Sequence, residues 1–123
     1  MKKVLVIDDD ELHRALVINS LETEGFDTIE IDDVSVAPTV AQNYQPDLII
    51  SGVRTDGRTR FTLQELLRDN PQTSSIPLIL MTEKSQQADD WESDPEIGYL
   101  TKPFDVLELV SAVARHLNPN LRA

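Results

Sequence analysis

Three consecutive carboxylates, Asp8-Asp9-Asp10, follow directly on the apolar run Val4-Leu5-Val6-Ile7. Grouped carboxylates at such a place can do two things. One or two of them, with waters, can hold Mg2+, a hard cation that prefers oxygen ligands. They can also start a helix, where carboxylates accept hydrogen bonds from free backbone N–H groups and are favoured by the helix dipole. The two uses are compatible, and the helix start is the plainer one. Thr82 and Lys102 end two later apolar runs, Ile76 to Met81 and Tyr99 to Thr101. A hydroxyl at a strand end is an ordinary local hydrogen-bonding group. A lysine brought near Asp8 or Asp9 would pair with one of them. Other chemistries have little material. The chain has no cysteine, which removes disulfides, thiolate metal sites and a Cys nucleophile. It has two histidines, His13 and His116, far apart in sequence, and they give a His-based metal site or triad little to build on.

The elements that must position these residues alternate. Val4 to Ile7 is short, apolar and β-branched, as a strand covered on both faces should be. Asp10 can cap a helix from Glu11 to about Glu24 that carries Leu12, Ala15, Leu16 and Ile18 or Leu21 at helical spacing and stops at Gly25. Thr28 to Ile31 reads as a second strand. Ser35 can cap a short helix with Pro38 in its first turn. Pro46-Asp47 leads into a third strand, Leu48 to Ile50. Thr62 can cap a helix through Leu63, Leu66 and Leu67 that Asn70-Pro71 closes. Leu78 to Met81 and Tyr99 to Thr101 are the fourth and fifth strands. A last amphipathic helix runs from about Asp105 to Leu117, with Leu107, Val110, Val113, Ala114 and Leu117 on its apolar side. Five βα units imply an α/β fold: a doubly wound, five-stranded parallel sheet with its sites at the carboxyl ends of the strands. The fourth helix is the weak unit. Lys84 to Glu96 is very polar, contains Pro95 and lacks a 3.6-residue apolar stripe, so that helix is expected to be short, irregular or absent.

With 123 residues the chain is one domain, read as 1–118, with 119–123 as a tail or the start of a linker at Asn118-Pro119-Asn120. Lys plus Arg number 11 against 22 Asp plus Glu, a net charge of −11. That surface repels nucleic-acid phosphates and suits a basic protein partner. The apolar runs are too short for a signal peptide or a membrane span, so the expected setting is cytoplasmic.

Four pieces, VLVIDDDE at 4–11, PDLIIS at 46–51, IPLILMT at 76–82 and YLTKPF at 99–104, carry a resemblance to the receiver domains of two-component response regulators. They lie in order and at matching spacing along nearly the whole chain. The resemblance implies the flavodoxin-like receiver fold. It also implies a site in which two acids after the first strand hold Mg2+ and an aspartate ending the third strand takes a phosphoryl group. A hydroxyl after the fourth strand and a lysine after the fifth contact that group. Asp8 and Asp9 match the metal-binding acids, Thr82 the hydroxyl, Lys102 the lysine, and Tyr99 an aromatic switch position.

The nucleophile does not match. Its position holds Gly52, and positions 52 and 82 are 30 apart, the family's usual spacing, so no shift of frame restores an aspartate. The following loop, Val53-Arg54-Thr55-Asp56-Gly57-Arg58-Thr59-Arg60, departs from the family pattern as a whole. Glycine cannot form an acyl phosphate. A rescue by Asp56 would need the loop to fold back, and one by Asp8 or Asp9 would vacate a metal position. The resemblance thus implies an atypical, phosphorylation-independent receiver, not an enzyme. It would need no cofactor, keep at most a weak Mg2+ site, and bind a signalling protein such as a histidine kinase, an effector or an output domain. Lys102 then reads as a partner of Asp8 or Asp9. One guanidinium of Arg54, Arg58 or Arg60, or Lys102, could fill the emptied pocket, although a solvated basic loop is the plainer reading. Trp91 reads equally as a partner anchor or as packing on the sheet, and Tyr99 equally as packing or a switch. Two rivals remain: a relocated nucleophile (Asp56, Asp8 or Asp9), and a sensor of a small ligand or metal.

Overall fold

The computed structural model describes residues 2–52, 63, 65–83, 97–102 and 104–117, with the backbone alone at 82–83, 97–99 and 101–102. β1 (Lys3–Ile7) is an interior strand of the sheet, and Val4, Leu5 and Val6 are fully buried in it. It pairs in parallel with β2 (Asp27–Ile31) on one side and β3 (Leu48–Gly52) on the other. β4 (Leu78–Glu83) and β5 (Ile97–Lys102) extend the sheet beyond β3, giving the order β2-β1-β3-β4-β5. The strand order reverses between β1 and β3, so a crevice opens there at the carboxyl ends of both. The expected five-stranded α/β architecture is present.

Alternate residues of each strand feed two cores. Val4, Val6, Leu48, Ile50, Ile79 and Met81 face α1 (Glu11–Thr23) and α3 (Val106–Leu117). Leu5, Ile7, Ile49, Leu78 and Leu80 face the opposite layer, with Ala37 and Ala41 of α2 (Ala37–Tyr44) and with Leu63 and Leu67. A period of two with both faces apolar is what a strand covered on both sides requires.

α1 starts and stops as the sequence indicates. The Asp10 carboxylate accepts from the His13 N–H at 3.2 Å. Gly25 adopts φ 94°, and the N–H groups of Gly25 and Phe26 close on the carbonyls of Glu22 and Leu21. This is the C-terminal motif in which glycine takes the left-handed position without a Cβ penalty. The buried face keeps Ile18 and Leu21 of the expected one but not Leu12 and Leu16. Leu12 is 84% exposed and Leu16 54%, while Val17, Ile18, Ser20 and Leu21 are buried. The stripe that meets the sheet runs His13, Val17, Leu21. Two apolar stripes compete on this helix, and the direction of chain entry from Asp8 selects the one without the exposed leucines.

Two further corrections are local. Asp33, not Ser35, caps the turn after β2: its carboxylate accepts from the Ser35 N–H at 2.9 Å and the Ser35 hydroxyl at 2.8 Å, opening a 3-10 turn at Val34–Val36. α2 follows with no side-chain cap and with Pro38 near its start. On α3 the buried residues are Leu109, Ala112 and Val113, and Leu107 is 73% exposed. Asp105 accepts from the Glu108 N–H at 2.7 Å, so α3 begins one turn before its apolar face does. The expectations for the Thr62 cap, the Lys84–Glu96 helix and the 119–123 tail fall outside the described residues.

The revised face of α1 sets an expected outcome. Leu21→Ala removes about 2–5 kcal/mol of stability, whereas Leu12→Ala changes it by no more than about 0.5 kcal/mol, as urea unfolding of the two variants will read.

Candidate functional site

β1 and β3 end side by side, with Ile7 opposite Ser51. The chain leaves β1 through Asp8, whose N–H still bonds to the Ile31 carbonyl of β2 at 3.2 Å. This last ladder bond turns the Asp8 carboxylate inward, and the residue is only 4% exposed. A buried carboxylate must find donors. Oδ1 accepts from the Asp10 N–H at 3.0 Å and Oδ2 from His13 Nδ1 at 2.6 Å. Arg14 donates through Nη1 to the Asp8 carbonyl at 2.7 Å, and its Nε lies 3.6 Å from Glu30 on β2.

His13 reaches Asp8 for a reason that lies in the cap. With Asp10 as the N-cap, His13 is the third residue of α1. Helical side chains lean toward the N-terminus, so this ring hangs back over the chain that enters from β1. Its other side meets Phe104 edge-on, centroids 5.6 Å apart at 76°. Sequence reasoning gave His13 no role. The cap was the available signal, since a polar ring three residues after Asp10 was bound to face the β1 exit.

A cleft of about 370 Å³ opens beside Asp8, lined by Ile7, Asp8, Asp9, Asp32, Asp33, Val34 and Gly52. Asp32 and Asp33 were also missed. Their signal was the repeat of Ile7-Asp8-Asp9 as Ile31-Asp32-Asp33 at the end of the neighbouring strand. The Ser35 N–H, then the Ser35 hydroxyl, holds the Asp33 carboxyl below its ordinary value of 3.8. Gly52 lies across from Asp8. A Cβ built on it would stand 3.4 Å from Asp8 Cγ, an ordinary contact, and its backbone is not left-handed. Glycine here is therefore no demand of the backbone. It leaves the cleft without a side chain at the end of β3.

The resemblance implies Mg2+ at these residues. Both Asp8 oxygens are already bonded to donors. Position 52 offers no oxygen. Among the described residues no group of three or more His, Cys, Asp and Glu is set for a metal ion. The acids as arranged do not fit a divalent cation. Of the remaining expected site residues, the backbone of β4 places Thr82 opposite Thr101, and that of β5 places Tyr99 opposite Leu80 and Lys102 opposite Glu83. The side chains of Thr82, Tyr99 and Lys102, and with them the expected Lys102 ion pair, lie outside the described residues, as do Trp91, Arg54, Asp56, Arg58 and Arg60. Among the described residues no helix is long and apolar enough to cross a membrane.

Known proteins match this arrangement. The family model described as response regulator receiver domain covers residues 4–114. The DNA-binding dual master transcriptional regulator RpaA of Synechocystis sp. is 34% identical over 116 residues, 92% of this chain and 48% of its own. The phosphate regulon transcriptional regulatory protein PhoB of Pseudomonas aeruginosa is 32% identical over 124 residues, 96% of this chain and 54% of its own. The chain thus spans about half the length of these curated relatives. Among solved structures, the chemotaxis protein CheY4 of Vibrio cholerae superposes with a TM-score of 0.83 at 27% identity, covering 95% of this chain and 99% of that one.

Two outcomes follow from the cleft. Gly52→Ala is neutral or stabilising by up to about 1 kcal/mol, because the methyl fits and the unfolded chain loses freedom. Gly52→Asp melts below Gly52→Asn, because a second carboxylate faces Asp8; differential scanning calorimetry gives the order. For Asp33 the lowered value means that its stabilising contribution is complete above about pH 4 and is lost as pH falls through the lowered range. Acid denaturation of Asp33→Asn should show a smaller loss over that interval than the parent.

Proposed function

Since the chain belongs to the response regulator receiver domain family, we propose that it is an atypical member: a phosphorylation-independent protein-interaction module of phosphorelay-type signalling, not an enzyme and in need of no cofactor. The observation that carries this reading is Gly52. It ends β3 in the cleft, across from Asp8, at the position where the family's acceptor aspartate stands, and it has no atom that can take a phosphoryl group. The carboxylate nearest to it is poorly suited to substitute. Asp8 would have to give up its bonds from His13 and the Asp10 N–H to attack a phosphodonor, and a carboxylate held by two donors is a weak nucleophile.

The partner is a signalling protein in a cytoplasmic setting: a histidine kinase, an effector or an output domain. Relatives about twice as long that are described as transcriptional regulators favour an output domain. This domain itself, with a net charge of −11, is a poor match for nucleic acid and a good one for a basic protein face. Trp91 and Tyr99 are the candidate contact residues.

Intact mass after incubation with acetyl phosphate and Mg2+ tests the reading. The expected mass is unchanged. A gain of one phosphoryl group that disappears in Asp8→Asn, Asp9→Asn or Asp56→Asn would replace it with a relocated nucleophile. A melting temperature that rises with one small molecule or ion would replace it with a sensor.

A further inference from the structure

β2 is an edge of the sheet, with β1 on one side and, among the described residues, no strand on the other. Residues of a parallel strand alternate: one bonds its neighbour through both N–H and carbonyl, and the next points both away. The Asp27 N–H donates to the Lys2 carbonyl at 2.9 Å, and the Ile31 carbonyl accepts from the Asp8 N–H at 3.2 Å. With Lys3 opposite Asp27 and Ile7 opposite Ile31, this phase makes Asp27, Ile29 and Ile31 the residues that bond to β1. Thr28 and Glu30 therefore direct their backbone N–H and carbonyl groups outward. Such a row is a template for one more strand, and proteins commonly blunt it with proline, lysine or a bulge. β2 holds no proline or lysine, and its register with β1 runs unbroken.

The two sides of this edge differ. Thr28 and Glu30 face α1, where the Thr28 hydroxyl donates to the Glu22 carboxylate at 3.1 Å and Glu30 lies 3.6 Å from Arg14 Nε. Ile29 and Ile31 face the opposite layer, in the same core as Val40 of α2. One flank of α2 is turned to Asn70, whose side-chain amide donates to Gln42 at 3.0 Å. Its other flank, Val36, Val40 and Tyr44 at four-residue spacing, thus lies on the β2 side. Val36 is 43% and Tyr44 55% exposed. A helix rises about 12 Å from 36 to 44, and a strand runs about 13 Å from 27 to 31. Stripe and edge match in length.

We propose that the β2 edge takes up an extended segment of a partner protein in which apolar and basic residues alternate. The segment's backbone pairs with Thr28 and Glu30. Its apolar side chains lie along Ile29, Ile31 and the α2 stripe, and its basic ones meet Glu22 and Glu30. Charge selects this occupant over a second copy of the chain, whose edge would set Asp27 and Glu30 against their own kind. The inference gives the proposed interaction module a surface and a partner chemistry. It draws nothing from Gly52, so it holds whether or not the chain takes a phosphoryl group.

Fluorescence anisotropy, with no phosphodonor present, tests it on a short capped peptide of alternating valine and lysine. Two peptides of equal charge serve as controls: one with the valines and lysines in separate blocks, and one alternating but N-methylated throughout. The alternating peptide is expected to bind roughly tenfold or more tightly than either control, the scale of a few backbone hydrogen bonds. Thr28→Pro, which removes an outward N–H and leaves the bonds to β1, and Glu30→Lys should each weaken it comparably. Far-UV circular dichroism checks that both variants fold, and the N-methylated peptide tests the pairing on the parent chain alone. Equal binding of all three peptides, or no saturable binding of the alternating one, overturns the proposal. Sedimentation showing a dimer of the parent that Thr28→Pro dissolves would assign the edge to a second copy and overturn it as well.

Discussion

A buried carboxylate organises this end of the molecule. Asp8 leaves water at the end of β1, and such a group is tolerable only when its oxygens meet donors. The donors come from the next residues of the chain, the Asp10 N–H and the His13 ring. To supply them, α1 must start at Asp10 and enter at one angle. That angle decides which of two apolar stripes meets the sheet, and it is why Leu12 and Leu16 are left in solvent. Arg14, one residue on, bonds the Asp8 carbonyl and approaches Glu30 of β2. One satisfied carboxylate thus ties the start of α1 to both strands on its side of the sheet.

The sheet order sets where this happens. Because β1 is flanked by β2 and β3, the acids that end β1 and β2 and the glycine that ends β3 share one rim. In a receiver with an aspartate at the third place, the resemblance implies that Mg2+ and the lysine offset the charge of the cluster. With Gly52 there is one carboxylate fewer to balance. The remaining acids can be held by hydrogen bonds alone, as Asp8 is by His13 and Asp33 by Ser35. Deleting the acceptor and satisfying the acids internally are consistent with each other in electrostatic terms, since each lowers the need for a cation.

The strands were legible because their signal is local and strong. Val4–Ile7, Leu48–Ile50 and Leu78–Met81 are apolar on both faces, and only a doubly covered parallel sheet accommodates that. The cap at Asp10 and the stop at Gly25 were legible for the same reason. Helix faces were not. On α1, Leu12 and Leu16 form as good a stripe as Val17 and Leu21, and on α3, Leu107 competes with Leu109. Periodicity does not rank two stripes that differ by one residue in phase. The entry angle does, and it is set by tertiary contacts. The Ser35 cap failed because the Ser35 hydroxyl and N–H both donate to the Asp33 carboxylate, and Pro38, three residues after Ser35, has no N–H to offer that hydroxyl. The acid pair Asp8-Asp9 was read from residue types, and the missing acceptor at Gly52 from the family resemblance. His13 was not, because its function lies in what it faces across five residues, from the third position of one helix to the end of the preceding strand.

His13 also shows why family resemblance and residue chemistry must be read together. The resemblance identifies Asp8 as a metal acid, and in isolation a buried Asp beside Asp9 would carry that reading. The geometry assigns its oxygens to other atoms. The same carboxylate is equally good as a metal ligand and as the anchor of a helix start, and the choice is made by the neighbours that compete for it. A ring at position 13 and no side chain at position 52 both shift that competition toward the anchor. What the described residues share with a receiver's site is its scaffold: a strand order, an acidic rim and a capped helix. That scaffold lies beside an α1 whose outer face carries Leu12 and Leu16 in solvent, and exposed apolar side chains beside an acidic rim suit the protein-interaction reading proposed above.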